Sequence, residues 1–68
     1  MLEIFTERLK DLRIEKNLSA SKLAKELGVR DTTVIRWEKG LMIPNALHLY
    51  NIAKFFGVSS DYLIGLEN

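Results

Sequence analysis

Between Ser19 and Gly40 the chain reads SASKLAKELGVRDTTVIRWEKG, and its side chains with chemical reach gather in the second half: Arg30, Asp31, Thr32, Thr33, Arg36 and Lys39. Gly28 divides the stretch into two short helices joined by a tight turn. Leu23, Ala24 and Leu27 mark the inner face of the first, and Val34 and Trp37, three apart, that of the second. The second helix therefore carries its polar and basic residues on the face its own apolar positions leave free. That is an arrangement for recognition, because it lets a small helical domain push one helix into the major groove of DNA. Bond-making chemistry has little to work with. The chain has no cysteine, no Ser/His/Asp set in register, no glycine-rich phosphate loop and no metal-ligand cluster, so no catalytic residue, metal or cofactor is expected.

The charge distribution agrees with a basic reading unit. Net charge is only +1 over 68 residues. Lys16 to Lys39 holds six basic residues (Lys16, Lys22, Lys25, Arg30, Arg36, Lys39) against three acidic ones (Glu26, Asp31, Glu38), whereas the remainder has four basic and six acidic. An ordinary solvated helix surface has a similar balance, so charge alone does not decide. At 47% apolar residues and near-zero mean hydropathy the composition is that of a soluble globular protein. An uncrosslinked domain of this kind fits the cytoplasm. No apolar run approaches the ~18 residues a spanning helix needs, and charges interrupt MLEIFTERLK, so neither a membrane segment nor a signal peptide is expected.

The remaining elements must hold the reading unit. Leu2, Phe5, Leu9 and Leu12 recur at helical spacing and predict a helix from Leu2 to Lys16, stopped by Asn17. Ser19 caps the next helix without a capping box, since Lys22 stands three residues on. The third helix runs from Arg30 or Asp31 to about Lys39 and closes at Gly40. Asn45 caps a fourth over Ala46–Phe56, with Leu49, Ile52, Ala53 and Phe56 inward and Gly57 as its stop. Ser59 or Ser60 caps a short fifth that packs through Leu63. No stretch alternates long enough for a strand. The expectation is one all-α domain over residues 1–68, five helices, with the reading unit at about 19–40.

Ala24, Gly28, Val34 and Trp37 stand at the crossing, the turn and the rear of the reading helix. With ERLKDLRIEKNLSASKLAKELGV, the IRWEKG run, Pro44 and IAKFFGVSSDYLIG, they make the chain from Phe5 to Gly65 resemble the lambda-repressor-like helix-turn-helix domain of phage repressors and the Xre regulators of Gram-positive bacteria. The resemblance implies a five-helix fold and sequence-specific binding of double-stranded DNA by a transcriptional repressor. Arg30, Asp31, Thr32 and Arg36 fall where the family touches base edges, and Arg suits a bidentate contact to guanine O6 and N7. Asp31 is also placed to cap its helix, the favoured reading. Thr33 and Lys39 fall where the family contacts phosphates. Arg13 and Glu38 match a structural salt bridge between the first helix and the end of the third. The family dimerises near Leu41, Met42 and Ile43, so a homodimer on an inverted-repeat operator, half-sites about one helical turn apart, is implied. No membrane or small-molecule partner is.

Three positions depart from the family's pattern. Ala20 replaces a frequent phosphate-holding Gln, leaving Ser21 or Lys22 to contact phosphate. Arg30 stands at the cap position, where Ser or Thr is frequent. The loop after the third helix is apolar where it is often basic. Trp37 is read as core and His48 as a packing or surface residue. Ile35 is expected to point sideways, either to a thymine methyl or to solvent, and the 41–43 loop is either tucked on the core or part of a dimer surface. An antitoxin-type autoregulator on the same fold, and a protein-interaction module that has lost DNA, remain alternatives. The chain is either complete or the N-terminal part of a longer repressor.

Overall fold

The computed structural model describes residues 2–67, so Met1 and Asn68, the outermost residues of the expected domain, lie outside them. Five helices follow in order: α1 Leu2–Glu15, α2 Ala20–Leu27, α3 Asp31–Glu38, α4 Ala46–Phe56 and α5 Ser60–Ile64. Among the described residues there is no strand. The capping chemistry explains the boundaries. Ser19 Oγ accepts from the Lys22 N–H at 3.0 Å, Asn45 Oδ1 from the His48 N–H at 2.8 Å and Ser59 Oγ from the Tyr62 N–H at 2.9 Å. Each satisfies a donor that the first helical turn leaves without a partner.

The exits share one geometry. A residue with positive φ follows each helix: Asn17, Gly28, Gly40, Gly57 and Gly65. The next amide then reaches back across six residues, as Val29 N–H does to Ala24 O at 2.9 Å and Leu41 N–H to Arg36 O at 2.9 Å. The residue donating that bond is apolar every time: Leu18, Val29, Leu41, Val58, Leu66. Leu18, Val29 and Val58 pack against the core. Leu41 and Leu66 are 73% and 72% exposed.

The core is one cluster: Phe5 and Leu9 from α1, Leu23 and Ala24 from α2, Val34 and Trp37 from α3, Ile52 and Ala53 from α4, Leu63 from α5. It contains no buried charged residue among those described. Each fully buried large side chain is worth about 1.5–3 kcal/mol, so a chain this short depends on every helix contributing one or two. The helices α2 and α3 pack on each other. The other principal pairings are α1 with α3 and α5, and α4 with α2 and α5. Ala24, 2% exposed, lets α2 approach α3 closely. The long-range polar ties converge on α1. Arg8 Nη1 donates to the carbonyls of Tyr62 and of Glu67, the latter at 2.9 Å, and its guanidinium lies 4.2 Å over the Tyr62 ring. Among the described residues no helix is long and apolar enough to cross a membrane.

Candidate nucleic-acid interface

The reading helix is held from behind and from both ends. Val34 and Trp37 are fully buried, and the Trp37 ring meets the His48 ring edge-on, centroids 5.4 Å apart. His48 therefore packs the α4 side of the reading helix. At the start of α3, Arg30 takes the extended backbone of a cap residue but makes no side-chain cap bond. Asp31 does that work from inside the helix: its Oδ1 accepts the Thr32 N–H at 2.8 Å, and its charge lies at the positive end of the helix. At the far end Glu38 receives Arg13 Nε at 2.6 Å and Nη2 at 3.0 Å, while Arg13 Nη1 donates to Leu18 O at 2.8 Å. Hydrogen bonding to Glu38 is the main reason the Arg13 pKa lies above its ordinary value.

Helical geometry then fixes which side chains face outward. At about 100° per residue, Thr32 and Lys39 lie opposite the Val34–Trp37 seam. Arg36 lies about 50° to one side of that centre and Ile35 about 50° to the other. Thr33 and Glu38 lie about 110° away, on the flanks. Burial follows the same order. Thr32, Ile35, Arg36 and Lys39 are exposed, and Thr33 and Glu38 half-buried. Ile35 thus lies off the centre of the outward face, as far to one side as Arg36 to the other, and is 39% exposed, in keeping with the sideways orientation its spacing predicts.

The candidate contacts lie on α2, on α3 and its cap, and on the residue after α3. Arg30, Asp31, Thr32 and Arg36 are exposed on α3 or its cap, and Lys39 follows its last turn. Ser21 and Lys22 are exposed in the first turn of α2, beside the Ser19 cap. Among the described residues, Arg13 and Glu38 form an ion pair, whereas Lys22, Arg30, Arg36 and Lys39 form none. Their cationic groups are therefore uncommitted. Ala20 is half-buried against the core, so this position serves packing in place of a polar contact. The 41–43 loop divides: Met42 packs on the core, and Leu41 and Ile43 remain exposed. Leu47 and Tyr50, on the outer side of α4, are exposed as well, which the inward pattern of that helix did not single out.

Comparison with known proteins places this geometry. A helix-turn-helix family profile matches residues 9–63. The chain is 43% identical over 63 residues to the HTH-type transcriptional activator BcrR of Enterococcus faecalis, covering 93% of this chain and 31% of that protein. It is 34% identical over 61 residues to the cryptic phage CTXphi transcriptional repressor RstR of Vibrio cholerae, covering 90% of this chain and 55% of the repressor. An uncharacterized HTH-type transcriptional regulator of Methanocaldococcus jannaschii is 47% identical over 61 residues, covering 90% of this chain and 92% of its own length. The chain thus spans about a third of the Enterococcus relative and about half of the Vibrio one.

Proposed function

We propose a sequence-specific reader of double-stranded DNA from one premise: the chain belongs to the lambda-repressor-like helix-turn-helix family. That family consists of DNA-binding transcription regulators and is not enzymatic. The observation that carries the finer reading is the front of α3, an exposed face whose cations make no ion pair among the described residues, on a helix anchored by the buried Val34 and Trp37. In this reading α3 enters the major groove. Arg36 forks onto a guanine, Arg30 and Thr32 reach base edges or the nearest backbone, and Asp31 accepts from a base edge only so far as its capping bond allows. Ser21, Lys22, Thr33 and Lys39 hold phosphates and so set the register without carrying sequence information.

A single module of this size covers roughly 600–1,000 Å² of DNA-facing surface, which limits its specificity. We infer that two copies bind an inverted repeat with half-sites about one helical turn apart. Leu41 and Ile43, 73% and 61% exposed, support a contact between copies. Leu41 is the apolar residue that closes α3, and unlike Leu18, Val29 and Val58 at the same place in their helices it is left mostly exposed among the described residues. Occupation of an operator by such a dimer excludes other proteins from that DNA, which makes repression in the cytoplasm the activity proposed here. The Vibrio relative bears the name of a repressor and the Enterococcus relative that of an activator.

Selection of random duplex DNA by the purified chain tests the reading. Enrichment of an inverted repeat is the expected result. A pool that stays random at both low and physiological salt would rule it out.

A further inference from the structure

We infer that Ile35 reads a thymine through its 5-methyl group. The inference rests on the proposed DNA-reading role of α3 and adds to it an apolar specificity contact. Ile35 is 39% exposed on an eight-residue helix whose other outward residues are polar or charged. It lies about 50° from the centre of the exposed face, the mirror position of Arg36. Thr32, one turn before Ile35, is its exposed neighbour at the centre of that face. The buried side of α3 is filled by Val34 and Trp37, and the core cluster and the residues packed on it do not include Ile35. Among the described residues it belongs neither to the core nor to the group packed on it, so part of a branched apolar side chain is left open on the outward side of α3.

The major groove offers one apolar feature to such a residue. Thymine displays a C5-methyl group there, where cytosine carries only a hydrogen and the purines have no methyl. An isoleucine on the far side of Thr32 from Arg36 would cover that methyl while Arg36 forks onto a guanine. The contact discriminates by apolar burial in place of hydrogen bonds. Its magnitude is that of burying one methyl group, about fourfold in affinity.

The test uses the duplex enriched from a random pool by the 68-residue chain. Each thymine is replaced in turn by deoxyuridine, which removes only the 5-methyl group. One thymine per half-site is expected to lose about fourfold in affinity with the natural chain and nothing with Ile35→Ala. Ile35→Val, which keeps a branched apolar side chain, should restore part of the loss. If no thymine is sensitive, or if the enriched duplex has no thymine within reach of α3, the inference fails while the DNA-reading role stands. If Ile35→Ala is as sensitive as the natural chain, another residue covers the methyl and the assignment is wrong. A pool that enriches nothing removes the DNA-reading role itself, and the thymine contact with it.

Discussion

Arg13 on α1 and Glu38 at the end of α3 meet in a forked ion pair, Nε to Oε2 at 2.6 Å and Nη2 to Oε1 at 3.0 Å. The third guanidinium nitrogen holds the Leu18 carbonyl at 2.8 Å, immediately before the Ser19 cap. One side chain on α1 therefore references both the entry of α2 and the exit of α3. The geometry matters for function because base reading requires the two helices at a fixed mutual angle. Glu38→Ala should destabilise the chain by about 2 kcal/mol, the range for hydrogen bonds to charged groups, since the arginine loses two partners. Urea melts check this, and an unchanged midpoint would show that the pair is ornamental. The pH dependence has a definite sign. The raised Arg13 pKa means its contribution is fully present below the ordinary arginine value and is lost only as pH climbs through the higher folded-state value. Alkaline titration short of that range should leave the Arg13 contribution untouched.

Arg36→Ala should cost about 1–3 kcal/mol of binding to the selected duplex and relax one base position. Because Arg36 is exposed and makes no ion pair among the described residues, the thermal midpoint should stay within the small range of surface substitutions. Fluorescence anisotropy and a melting curve on the same sample separate the two effects. Equal loss on all sequences would move Arg36 from a base to a phosphate.

Lys39→Ala should weaken selected and unrelated duplexes alike and reduce the slope of log K against log salt by about 1. A titration series in salt measures it. A loss confined to the selected sequence would contradict the phosphate role.

Two glycines with the same backbone sign should respond differently to alanine. Gly28 has φ 73° and open space where a Cβ would stand, so Gly28→Ala should cost about 1 kcal/mol from the left-handed conformation alone. Gly65 has φ 88°, and a Cβ there would lie 2.8 Å from Ile4 Cδ1 and 3.2 Å from Ile4 Cγ2. Gly65→Ala should cost about 1 kcal/mol more than Gly28→Ala, because α1 must shift as well. Paired denaturation curves decide, and equal costs would mean that Ile4 yields freely.

Leu41→Lys together with Ile43→Lys should leave the fold intact and lower affinity for a two-half-site duplex far more than for a single half-site. Both residues are exposed, so the change spares the core and tests the proposed contact between copies. Comparable losses on both duplexes would place the loop on DNA instead.

How much of this was legible in the sequence follows from the range of the interactions. Ser19, Asn45, Ser59, Gly28 and Gly57 act on their own helix within a few residues, so the boundaries of α2, α4 and α5 could be read directly. Val34 and Trp37 could be placed inward because their spacing leaves one seam. Arg8 could not be read as a strap. It sits among the charges of a solvated α1 face, and its partners at Tyr62 and Glu67 lie 54 and 59 residues away. The split of the 41–43 loop was equally hidden, since three apolar residues in a row carry no periodicity. Ala20 read as a missing polar contact, and its half-burial shows a position taken over by packing. Ile35 could be placed on the flank of the outward face because its angle from the Val34–Trp37 seam follows from spacing alone. For the base and phosphate contacts themselves, side-chain type and exposure supply candidates, and only DNA can assign them.

Methylation of guanine N7 in the selected duplex is the most direct test of the central claim, that the front of α3 reads the major groove with Arg36. The modification blocks a bidentate arginine on the major-groove edge and leaves the minor groove unchanged. The account predicts one guanine per half-site whose methylation prevents binding by the natural chain and no longer matters for Arg36→Ala. Indifference to every methylated guanine, or the same interference pattern in both proteins, would contradict it.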